Sequence, residues 1–235
     1  MKRILAAAAL VTLCSSMSLA AGITNTKHDL SSVSTTTGPK AATQTQICVF
    51  CHTPHNAIKN VPLWNRTGGT AAASFKLYTS SASLTQADGV KSALYDDSIS
   101  LFCLSCHDGT VAQLGSRVVR PGAVAMSGNT WTGGDATTGP AMLGSDLTQD
   151  HPIGFTYPSA GEANRLTTAD AARTTMNLNN GASPDSSAIF FSSNGGARTN
   201  QMECASCHMV HDNTNSPFLR SSNSGSILCL ACHIK

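Results

Sequence analysis

Apolar positions along the 235 residues gather into one N-terminal run and then scatter. Lys2 and Arg3 precede "ILAAAALVTLC", and small residues follow in "SMSLAAG". A run this short does not span a bilayer, which takes ~20 apolar residues. A basic start, a short apolar stretch and a small-residue end read as a secretory signal, with cleavage expected after Ala20 or Ala21. No later segment approaches that length, so no transmembrane segment is expected. The organisation predicted is a signal peptide over 1–21 and one domain over 22–235.

Within that domain neither the helical nor the strand period is sustained. A short helix is predicted near Leu84 to Tyr95, and another, N-capped at Asp97/Ser98, is predicted to carry Cys103 to His107. The stretch from Asp108 to Glu203 is rich in Gly, Thr, Ser and Asn, and "GNTWTGGDATTGPAMLGSD" is its most loop-like part. Aromatic residues make up 5% of the chain and charged residues 12%, so side chains alone would build a weak core. Some other apolar mass is needed.

The cysteines say what that mass is. Of nine, eight fall in four copies of one pattern: "CVFCH" at 48–52, "CLSCH" at 103–107, "CASCH" at 204–208 and "CLACH" at 229–233. Two thiols three residues apart lie on one side of a helical turn, where both can form thioethers to the vinyl groups of one porphyrin. The following histidine is placed to reach the iron. A zinc ribbon also uses CxxC pairs, but gives no reason for His after every second cysteine. A redox dithiol would need a βαβ context that four repeated motifs lack. The expected cofactors are therefore four covalently bound haem c groups, on Cys48 and Cys51, Cys103 and Cys106, Cys204 and Cys207, and Cys229 and Cys232. The fold class follows: mostly coil, with short α-helices at the haem-binding motifs and a haem-cored interior. Cys14 would leave with the signal; its use as a lipid attachment site is disfavoured by the bulky Leu13 before it.

Histidine arithmetic extends the reading. His52, His107, His208 and His233 are the proximal ligands, leaving His28, His55, His151 and His211 for four distal positions. Methionine is the rival distal ligand. His55 and His211 stand three residues beyond motif histidines, in "CHTPH" and "CHMVH". Side chains so spaced on one turn are ~5–6 Å apart at Cβ and point the same way, so neither can cap the local iron from its other face. Each is expected to serve a neighbouring haem, His211 within the C-terminal pair. His151 is expected beside the haem of Cys103 and Cys106. Either His28 or His55 is expected to ligate in an adjacent subunit.

The chain also repeats. "CVFCHTPHNAIKNVPLWNR" leading to "SLFCLSCHDG" parallels "CASCHMVHDNTNSPFLR" leading to "SILCLACHIK", with the loops ending in Arg66 and Arg220. Haem pairs at 48–107 and 204–233 result, joined by a loop-rich connection over 108–203. The formal charge of +2 includes Lys2 and Arg3, so +2 − 2 leaves zero after cleavage, and propionates then make the loaded protein acidic. No basic patch supports nucleic-acid binding.

These doubled units, with "CLSCHDGT", "DHPIGF" and the N-terminal "KHDLSS", resemble the extracellular, filament-forming tetrahaem c-type cytochromes of metal-reducing bacteria. The resemblance implies an electron-transfer protein, not an enzyme, secreted and built into a homopolymer that exchanges electrons with other redox cytochromes or extracellular acceptors. A soluble periplasmic or extracellular shuttle would carry the same motifs. A multihaem reductase would need a haem with an open axial position, and no CxxCK variant marks one.

Overall fold

The computed structural model describes residues 22–55, 57, 63–67, 69–78, 94–109, 114–127, 141–158, 165–178, 189–193 and 195–235. The expected signal peptide, and the expected helix near Leu84 to Tyr95 except for its last two residues, lie outside them. Most of the described chain is coil and turn. No described helix is long and apolar enough to cross a membrane.

Four α-helices appear among the described residues: α1 (Ser100–His107), α2 (Ala169–Leu178), α3 (Cys204–Cys207) and α4 (Ile227–Leu230). Three of them carry cysteine motifs, and a 3-10 turn over Cys48–Phe50 carries the other. The expected Asp97/Ser98 cap of α1 does not form. Ile99 holds the N-cap position with no side-chain cap, and the Ser98 hydroxyl instead donates to Glu203. At α3 the cap is complete: Ser206 Oγ accepts from the Glu203 N–H at 2.9 Å, and the Glu203 carboxylate accepts from the Ser206 N–H.

The strands are short and paired across long sequence separations. β1 (Lys40–Ala41) pairs antiparallel with β3 (Met126–Ser127), and β2 (Lys76–Leu77) pairs parallel with β4 (Asp146–Leu147). β5 (Phe155–Thr156), β7 (Arg198–Met202) and β6 (Phe191–Ser193) form one antiparallel sheet in that order. The described part of the connection over 108–203 holds α2 and five of these strands, while residues 128–140 of its expected loop-like part lie outside the described residues. Ala172 and Met176, one helical turn apart, form the buried stripe of α2. The Thr168 hydroxyl, accepting from the Ala171 N–H, starts that helix.

Three small apolar clusters replace a single core. Phe50, Leu114 and Val118 pack with Cys51 and Cys106. Phe75, Leu77, Leu94 and Leu104 pack beneath α1. Tyr157, Met176, Ile189 and Met202 pack with Cys232. The Tyr157 hydroxyl donates to the Thr167 and Cys232 carbonyls, and Thr167 Oγ1 donates to the Ala231 carbonyl. Those bonds fasten the connection to the last motif.

The two repeated units align differently from the reading by sequence. The His52–Trp64 bridge matches the His208–Leu219 bridge. The Asn65 N–H donates to the Cys51 carbonyl, as the Arg220 N–H does to that of Cys207. Leu63 and Phe218 both take positive φ, 64° and 58°. Asn65, not Arg66, therefore occupies the place of Arg220, because the first loop is one residue longer.

Candidate haem sites

Three of the four motif histidines meet three of the four spare ones in pairs. His107 has His28 edge-on at 6.1 Å between ring centroids, with an interplanar angle of 76°. His52 has His211 at 5.9 Å and 46°. His233 has His151 at 6.4 Å and 76°. Two imidazoles sharing one metal ion at ~2 Å from each nitrogen stand with ring centres ~6 Å apart. All three separations fit that arrangement.

The pairing corrects two expectations. His151 stands beside His233 rather than beside the site of Cys103 and Cys106, whose histidine faces His28. His211 reaches back to the first motif instead of serving the C-terminal pair. Each of His28, His151 and His211 thus meets a motif histidine remote from it in sequence. His55 and His208 have no ring contact with another histidine among the described residues; both are exposed.

Backbone carbonyls set the ring orientations. His107 Nδ1 lies 2.7 Å from the Ala141 oxygen, His208 Nδ1 3.1 Å from that of Pro217, and His151 Nδ1 3.0 Å from that of Pro152. A proton held at Nδ1 by a carbonyl leaves Nε2 with the free lone pair, the atom a metal takes. His28 Nδ1 is buried without a partner. Burial lowers the His28 pKa to about 4, with the charges of His107 and His208 acting in the same direction. His28 is therefore neutral at physiological pH, as a metal ligand must be.

The thiols form a sequence of neighbours. All eight described cysteines are free. Burial pushes the Cys51 thiol up to about 12, with Cys106 adding to the shift. Cys103 is raised by its hydrogen bond to Cys204 and then by burial. Burial pushes Cys207 up to about 12, with Cys232 next in effect. Cys51 and Cys106 share one apolar cluster, Cys103 and Cys204 share a hydrogen bond, and Cys207 feels the charge of Cys232, so each motif lies near the next in the chain.

The surface near these motifs is apolar where water would otherwise meet it. Ile227, Leu230 and Ile234 are exposed around Cys229, and Val210 is exposed beside His208. Such surface is suited to cover by a flat apolar ring. Paired imidazoles at His52, His107 and His233, beside the CxxC thiols, fit a covalently held porphyrin at those three motifs. Among the described residues no three or more His, Cys, Asp or Glu side chains gather as a metal site of protein ligands alone.

The family model described as a doubled CXXCH motif matches residues 197–235, which contain β7, α3, α4 and the last two motifs. No curated protein matches the chain. The doubled motif is that of multihaem c-type cytochromes, which bind haem covalently and transfer electrons.

Proposed function

We propose that this protein is a secreted electron carrier holding four bis-histidine haem c groups, and that copies join end to end into an extracellular conducting filament. The observation that carries the reading is the set of three histidine pairs at 5.9 to 6.4 Å, with Cys103 and Cys204 hydrogen-bonded between the second and third motifs. When bound, the haem iron supplies a one-electron ferric/ferrous couple. The protein's part is to fix each group by two thioethers, fill both axial positions and keep neighbours close. With both positions filled, substrate has no place on the iron, so electron transfer is favoured over catalysis.

His52 with His211, His107 with His28, and His233 with His151 are assigned to the first, second and fourth haems. The third haem, at Cys204, Cys207 and His208, lacks a distal histidine from its own chain, and His55 is exposed and unmatched. His28 is engaged within its own chain. His55 of one copy is therefore assigned to the His208 site of the next, so that ligation fixes the register of the polymer. The domain over 22–235 is one unit, with the signal at 1–21 removed on secretion.

Electron microscopy of the haem-loaded secreted protein tests this, with His55→Ala as comparison. Filaments from the wild type and monomers with one high-spin haem from the variant support it. Wild-type monomers with four low-spin haems would favour the shuttle. Wild-type monomers with one high-spin haem that turns over a small oxidant would favour the reductase.

A further inference from the structure

Glu203 is the most deeply buried acid next to two cysteine motifs, at 2% exposure. It immediately precedes Cys204, and its Oε2 accepts from Ser98 Oγ at 2.7 Å and from Ser100 Oγ at a shorter distance. Ser100 opens α1, which carries Cys103, Cys106 and His107, and its hydroxyl also accepts from the Cys204 N–H at 3.0 Å. One carboxyl group thus joins the second and third motifs where the Cys103 and Cys204 side chains meet.

No cation compensates it among the described residues. The charged or titratable groups acting on it from the packed elements are Asp97, just before α1, and the thiols of Cys103 and Cys204, which are uncharged thioethers once haem is attached. Asp97 is exposed and repels a negative Glu203. A buried carboxylate held only by hydroxyl and amide donors changes protonation when charge changes nearby.

We propose that Glu203 takes up a proton as an electron reaches the second or third haem, making this junction a proton-coupled step in the chain. The inference rests on the haem reading above. The electron comes from the adjacent haem and reduces ferric to ferrous iron; the proton comes from water and converts –COO⁻ to –COOH. Net charge at the junction is then unchanged. Burial pushes this carboxyl above its ordinary range, against the opposing bonds from Ser100 and Ser98, so the switch between forms lies closer to neutral pH than that of an exposed glutamate.

The test is redox titration of the loaded wild type and Glu203→Gln between pH 5 and 8, after mass spectrometry has established haem on Cys103, Cys106, Cys204 and Cys207. Two of the four potentials in the wild type should fall with rising pH, towards the limit of 59 mV per unit for one proton per electron, and the Gln variant should lose that slope. Gln keeps the size of the side chain and one acceptor oxygen but takes up no proton, so a purely structural cap would leave the slope unchanged. Infrared difference spectra of wild-type protein labelled with ¹³C-glutamate give a second readout that needs no variant. A label-shifted carboxylic-acid band should appear on reduction. Equal slopes in both proteins, or no labelled band, would overturn the proposal with the haem reading intact; absence of haem would overturn both.

Discussion

His28 stands edge-on to His107 at 6.1 Å and stacks on Phe218 at 4.4 Å and 22°. Phe218 belongs to the loop after the third motif, and His107 ends the second. The N-terminal arm is therefore held between the two repeated units. Replacing His28 by Ala should leave three low-spin haems and convert one to high spin in low-temperature EPR, while filaments still form. Monomers with one high-spin haem, in place of filaments, would transfer the inter-subunit role from His55 to His28.

The same arm should respond to acid. Unfolded histidine titrates near 6.5, whereas burial lowers folded His28 to about 4. Its neutral state therefore contributes stability above pH 6.5, and that contribution is lost progressively as pH falls from 6.5 to about 4. Ligation to iron extends the neutral range further down. Hydrogen exchange over residues 22–31 of the haem-free chain should be pH-independent in relative protection above 6.5 and lose protection between 6.5 and 4. In the loaded protein the loss should begin at lower pH.

Asn65 is fully buried, and its side chain makes three bonds: Nδ2 donates to the Val49 carbonyl at 2.6 Å and to that of Arg120 at 2.7 Å, and Oδ1 accepts from the Arg120 N–H at 3.0 Å. Asn65→Ala strands all three backbone groups and opens a cavity, at a cost of ~3 kcal/mol. Thermal unfolding should show this as a clear fall in midpoint. An unchanged midpoint would mean that water replaces the side chain.

The eight motif cysteines and the count of spare histidines were legible in the sequence because CxxCH carries its chemistry within five residues. Which histidine meets which was not, since His211 reaches His52, and His151 reaches His233, through tertiary folding that local spacing does not encode. The repeat was visible, but its register was misread because both loops end in arginine, and only the backbone bonds of Asn65 and Arg220 align them. Helix α2 escaped notice within a Thr- and Ala-rich stretch, although Thr168 before "ADAARTTM" was a usable N-cap signal. The pairs β1 with β3 and β2 with β4 are two residues long, too short for alternation to show.

Gly115 tests the packing around the first two motifs. A Cβ there would stand 1.9 Å from the Val124 carbonyl oxygen, which the backbone must move to relieve. Its own carbonyl accepts from the Val118 and Val124 N–H groups. Gly115→Ala should cost ~2–3 kcal/mol or more, whereas Gly195→Ala meets open space and costs only ~1–2 kcal/mol for its φ of +62°. Denaturant unfolding of the two variants should preserve that order, and the reverse order would place the tight turn elsewhere.

The central claim is that every motif holds a haem. Intact-mass measurement of the secreted protein after treatment with a thiol-alkylating reagent tests it most directly. The expected mass is that of the chain from residue 21 or 22 to Lys235 plus four haems, with no alkylated cysteine. Fewer haems, or alkylation at any of Cys48, Cys51, Cys103, Cys106, Cys204, Cys207, Cys229 or Cys232, would contradict it.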